Sequence, residues 1–103
     1  MKSVLHIVSK SSGGNEAITS CLRLANPGST ILLTEDGVSH AQADSDQAKA
    51  MTRRMKDCSF FVLGPDLASR GLEESILAAG IRTIGYDGFV DLVATHEVTQ
   101  SWF

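Results

Sequence analysis

Apolar positions along this chain come in short unbroken runs, set between stretches in which they recur every third or fourth residue. The two periods predict strands alternating with helices. Segment 3–8 is a first strand. A polar loop, Lys10 to Asn15, leads to a helix capped by Asn15, with Ile18, Cys21, Leu22 and Ala25 on its buried stripe and Asn26-Pro27-Gly28 as its stop. Segment 30–34 is the second strand, turned at its end by Glu35-Asp36-Gly37-Val38. Asp44 and Gln47 have capping-box spacing and open a helix running to about Asp57, with Ala48, Met51 and Met55 facing inward.

Residues 59–63 form the third strand, broken by Gly64-Pro65-Asp66. Asp66 is positioned to cap a short helical turn that Gly71 closes. A helix is predicted from Glu73 to Ala79, ended by Gly80. Segment 81–86 is the fourth strand, and Asp87 caps a helix through Phe89, Val90, Leu92 and Val93. Residues 99–103 form a tail or a final strand. Strand–helix alternation implies βαβ units, hence a three-layer α/β/α sandwich around a mainly parallel sheet of four to five strands. Ligands of such sheets gather at the carboxyl ends of the strands, here loops 9–15, 35–43, 64–70 and 86–88.

At 103 residues the chain is expected to be one domain, 1–103. It is 43% hydrophobic and 20% charged, which argues for a globular core, and its net charge of −3 argues against direct nucleic-acid binding. No apolar stretch approaches the ~20 residues of a membrane span. The opening run Val4 to Val8 is too short for a signal peptide, and two cysteines without CxxC spacing suggest reduced thiols and a cytoplasmic location.

Candidate chemistry is sparse. Loop 9–15 offers hydroxyls and backbone N–H groups to a phosphate, as in a small flavodoxin-like phosphate- or nucleotide-binding domain, but it matches no phosphate-loop motif and reads more simply as a turn. Cys21 is either a small core residue or a reactive thiol, with Lys10 and Arg23 the nearest cations in sequence. Cys58 follows a basic helix end and is expected to be structural. His6 sits in a strand, while His40 is the histidine expected to face a ligand. Glu35 and Asp36 end a strand where a catalytic group would sit, although Gly37 favours a turn. Lys49, Arg53, Arg54 and Lys56 form a solvated basic face or dock an acidic partner. Trp102 and Phe103 pack on the core or on a partner. No cofactor or metal is expected, and no complete active site is visible.

Several segments, in order and nearly end to end, carry a resemblance: Leu5-His6-Ile7-Val8-Ser9-Lys10-Ser11, the run 20–25 (SCLRLA), Glu35-Asp36-Gly37-Val38, Val62 to Leu67, Ser69-Arg70-Gly71-Leu72, Tyr86 to Leu92 and Gln100-Ser101-Trp102. Together they resemble the DsrH/TusB family of sulfur-relay proteins. The resemblance implies a sandwich fold and a heterohexamer with DsrE/TusD-like and DsrF/TusC-like subunits. That complex passes persulfide sulfur to a DsrC/TusE-like carrier, for 2-thiolation of the tRNA wobble uridine (TusB-like) or for dissimilatory sulfur oxidation (DsrH-like). It also implies that this chain is an accessory rather than a catalytic subunit. The principal sulfur-accepting cysteine would lie in the DsrE/TusD-like subunit, with Cys21, as in DsrH-like members, a possible secondary persulfide carrier. An isolated chain is open to forming homo-oligomers.

Overall fold

The computed structural model describes residues 3–10 and 16–102. Five strands, β1 (Val4–Val8), β2 (Thr30–Leu33), β3 (Ser59–Leu63), β4 (Ile81–Ile84) and β5 (Val98–Trp102), form one sheet in the order β4-β3-β2-β1-β5, every neighbouring pair parallel. Residues 99–102 of the tail are thus strand. Phe103 and loop positions 11–15, including the expected Asn15 cap, lie outside the described residues. β2 is buried at all four positions, which is why it reads as an unbroken apolar run.

Handedness decides where the helices go. β1, β2, β3 and β4 are laid down in one direction across the sheet, so right-handed crossovers put α1 (Glu16–Leu24), α2 (Asp46–Arg53) and α3 (Gly64–Ser69) on one face. The last crossover runs back from the β4 edge to the β5 edge, and the same handedness sends α4 (Tyr86–Thr95) to the other face. The core divides accordingly. Ile18, Cys21, Met51 and Leu67 meet Val8, Ile31, Leu33 and Val62 in the larger cluster, while Phe89 and Leu92 of α4 cover Leu5, Leu32 and Leu63 in the smaller one. Each leucine buried there contributes about 1.5–3 kcal/mol.

Local elements depart from the sequence expectation where a distant partner intervenes. Ser45, not Asp44, caps α2: its hydroxyl accepts the Ala48 N–H at 2.9 Å while donating to the His40 carbonyl at 2.8 Å. The helix ends at Arg53 because residues 54–57 turn back into β3. The helix expected over 73–79 is reduced to a 3-10 turn, Glu74–Ile76. Backbone bonds from Ala43 N–H to Ile76 O (2.8 Å) and from Ala78 N–H to Ala41 O (2.9 Å) pull the flanking chain into a strap instead. Gly85, not Asp87, is the N-cap of α4; Asp87 sits in the first turn, where its charge faces the positive end of the helix dipole.

The motif 35–38 begins a 3-10 helix, Glu35–Ala41, pressed against the end of β1. Gly37 donates to the Ser9 carbonyl at 3.2 Å, and a Cβ on Gly37 would fall 2.2 Å from the Val8 carbonyl oxygen. Backbone on backbone leaves nothing flexible to yield. Gly37→Ala is expected to cost about 3 kcal/mol, lowering the thermal midpoint by roughly 10 °C or more in a scanning melt. A melt within 2 °C of wild type would contradict the contact.

Candidate functional site

The carboxyl ends of the strands enclose a cleft of about 430 Å3, floored by Ile7, Leu63 and Phe89 and edged by the hydroxyls of Ser9, Thr34 and Ser101, with Glu35, Asp66 and Tyr86 completing its lining. Two sequence motifs meet here. Glu35 has a left-handed backbone (φ 49°), unusual for a residue with a side chain, and its N–H donates to the Asp66 carboxylate at 2.6 Å. Asp36 accepts from Arg70 Nε at 3.0 Å, and Arg70 also reaches the Asp66 carbonyl. The Asp36–Arg70 pair is largely exposed, worth less than ~1 kcal/mol, so it sets position more than stability. Asp66 thus ties α3 to the end of β2. Of loop 9–15, Ser9 lines this cleft and Lys10 is bonded through its backbone to His40.

His40 does not face a ligand. It is 2% exposed, and its Nε2 donates to the Lys10 carbonyl at 2.9 Å, locking the 3-10 helix to the β1 loop. His6, 5% exposed, accepts at Nδ1 from the Trp102 indole N–H at 3.0 Å. The indole can only donate, so His6 is neutral with its proton on Nε2. This bond fastens the end of β5 to β1 and settles the packing of Trp102 within the chain. Burial lowers the pKa of both imidazoles below the ordinary 6.5, opposed at His40 by the Lys10 carbonyl. His96 Nε2 lies 2.8 Å from the Thr30 hydroxyl and Nδ1 2.7 Å from the Leu92 carbonyl, anchoring the end of α4 over β2.

The thiols lie away from the cleft, between α1 and the start of β3. Cys21 is 0% exposed among core residues. Burial pushes its thiol up to about 12; neighbouring Cys58 adds to the rise and the Arg54 guanidinium opposes it. Cys58, 6% exposed, is also raised by burial, again opposed by Arg54. The sequence groups Arg54 with a basic face that is solvated or docks an acidic partner. Instead it turns inward, donating to the Leu22 carbonyl, to the Ala25 carbonyl at 2.7 Å and to Cys58 Sγ at 3.4 Å, while its Nε holds Asp57 at 3.2 Å. A cation at the carbonyl end of α1 is where the helix dipole favours one. The cations weighed for Cys21 from the sequence, Lys10 and Arg23, are not the ones that act on it; the contact spans 29–32 residues and leaves no local signal.

Among the described residues, no group of three or more His, Cys, Asp or Glu side chains could hold a metal ion, and no helix is long and apolar enough to cross a membrane. The molecule is a small parallel α/β domain whose Cys21 thiol is shut in its core and whose carboxyl-edge cleft carries neither thiol. A family profile described as "DsrH like protein" matches residues 10–99, and the chain belongs to that family. It is 35% identical over 85 residues to Protein TusB of Yersinia pestis (strain Pestoides F), covering 82% of this chain and 86% of that protein. Protein TusB of Yersinia pseudotuberculosis serotype IB (strain PB1/+) gives the same values. Among solved structures, the ychN protein from E. coli superposes with a TM-score of 0.81 at 14% identity, covering 98% of this chain and 99% of that one. The MTH1491 protein from Methanobacterium thermoautotrophicum gives 0.74 at 14% identity, covering 93% and 95%. These likenesses carry the fold.

Two outcomes are expected. Because His6 and His40 are held below the unfolded value of 6.5, the unfolded chain takes up protons that the folded chain refuses. Stability is full above pH 6.5 and falls as pH drops below it. Melts from pH 7.5 to 5 should show a falling midpoint, flattened in His6→Asn/His40→Gln, which keeps an acceptor at 6 and a donor at 40 without titrating; a flat wild-type profile would refute this. Separately, Arg54→Met strips the donor from the Leu22 and Ala25 carbonyls and should cost about 1.5–3 kcal/mol. Chemical denaturation measures it, and a loss below 0.5 kcal/mol (roughly the scatter of surface changes) would show Arg54 to be dispensable.

Proposed function

We propose that this chain is a subunit of a sulfur-relay assembly, passing persulfide sulfur between carrier proteins for tRNA thiolation. The observation that carries the reading is the 35% identity to Protein TusB across 82% of the chain, together with the DsrH-like family match over residues 10–99. The identity to Protein TusB favours the tRNA branch over sulfur oxidation. Its natural partners are DsrE/TusD-like and DsrF/TusC-like subunits, with a DsrC/TusE-like carrier as recipient and the cytoplasm as the site of action.

The chemistry of the chain supports an accessory role. Sulfur moves when a thiolate attacks the outer sulfur of a persulfide: the new S–S bond forms as the old one breaks, and the donor leaves as thiolate. A thiol raised to about 12 is almost wholly protonated at neutral pH and cannot begin that attack from the closed fold. Cys21 enters as a secondary stop, while the sister subunit carries the principal thiol.

The test reconstitutes the complex from this chain and its two related subunits and supplies a persulfide donor. A +32 Da adduct on Cys21 and slower transfer by Cys21→Ser, with assembly intact, are expected. Unchanged transfer by Cys21→Ser would make the thiol structural. Failure of the wild-type chain to assemble with either subunit would sink the relay reading itself.

A further inference from the structure

Of the large apolar side chains exposed on the described residues, Leu24 and Ile76 are isolated, but Tyr86 (60% exposed), Val90 (65%) and Val93 (44%) share α4. Helical spacing explains the clustering. Gly88 presses on Ile84 of β4, where an added Cβ would come within 2.9 Å, so the flank half a turn away carries Tyr86, Val90 and Val93. Phe89, Val90, Val93 and Ala94 line an open groove of about 310 Å3 with no polar wall. Phe89 also lines the carboxyl-edge cleft, with Tyr86 beside it there, so groove and cleft are neighbours across one side chain. The sheet beneath is short of cover on that side. Among the described residues α4 is the one helix on this face, and Thr99 and Ser101 of β5 remain exposed.

We propose that this flank of α4 is the docking seat for an amphipathic helix of a different subunit, one whose apolar stripe is bordered by lysine or arginine. The charge pattern selects that occupant. α4 carries Asp87 and Asp91, both exposed, and no basic residue, and Glu35 and Glu97 stand exposed at its two ends. A second copy meeting this flank through its own α4 would bring four aspartates together, and like charges in contact disfavour a partner. The other helices of this chain offer no alternative among the described residues. α2 supplies exposed Lys49 and Arg53 but no exposed large apolar residue, and α1 exposes Leu24 alone. A helix laid beside α4 would cover Val90 and Val93, extend the thin layer over β1 and β5, and close the cleft at Tyr86. The relay reading supplies where this partner is sought; the surface is argued independently of it.

The experiment measures assembly of the full chain with its DsrE/TusD-like and DsrF/TusC-like subunits by native mass spectrometry and titration. Val90→Asp/Val93→Asp changes exposed positions, so its melt should stay near that of wild type while affinity falls at least about tenfold, as for removal of an interface anchor. Asp87→Lys/Asp91→Lys should weaken assembly and reduce its dependence on salt. A photo-crosslinker in place of Val90 should label a helix flanked by lysine or arginine on a partner subunit. Wild-type affinity in the Val90→Asp/Val93→Asp variant, or a crosslink to a second copy of this chain, overturns the docking seat and leaves the relay reading standing. No assembly of the wild type overturns both.

Discussion

A parallel sheet that grows strand by strand in one direction must place its right-handed crossovers on one face. Four strands of this chain obey that constraint, and most of the structure follows from it. The face bearing α1, α2 and α3 becomes thick, with Cys21, Met51 and Val62 wholly buried. The opposite face receives, among the described residues, only the returning helix α4. Leu5, Leu32 and Leu63 are buried there, yet Ile7, Phe61, Ile84 and Leu92 remain partly open. Thickness on one side and thinness on the other separate the two regions of chemical interest: Cys21 lies sealed under α1, while the cleft opens beside α4.

Arg54 shows how a single side chain links that architecture to its chemistry. It closes the carbonyl end of α1, pairs with Asp57 and touches Cys58. Its positive charge opposes the rise of both thiol pKa values but does not reverse it, because desolvation is the larger effect at each. The resting domain therefore holds both thiols toward their protonated form.

The carboxyl edge is held by groups that carry no catalytic signature of their own. Asp66 accepts the Glu35 N–H, Asp36 meets Arg70, and His40 holds the Lys10 carbonyl. Polar side chains that resemble a ligand site in isolation are here used to fix loops against one another. The cleft they frame owes its shape to the close approach of Gly37 to β1 and to the left-handed turn at Glu35.

The sequence by itself determined the alternation of strands and helices, the parallel sheet and the family, because hydrophobic period and ordered motifs are local properties of the chain. β1 to β4 and the apolar stripes of α1 and α2 were legible within a few residues. What it could not determine were the features set by distant partners. Ser45 prevails over Asp44 as a cap because its hydroxyl also finds His40; residues 73–79 yield their helix to backbone bonds with 41–43; Arg54 abandons the solvated face for the carbonyls of α1. The candidate residues were legible from the start, but their arrangement was not. Burial decides whether a thiol can ionise, and burial belongs to the tertiary structure alone, which places Cys21 beneath a helix and leaves the open ground beside α4.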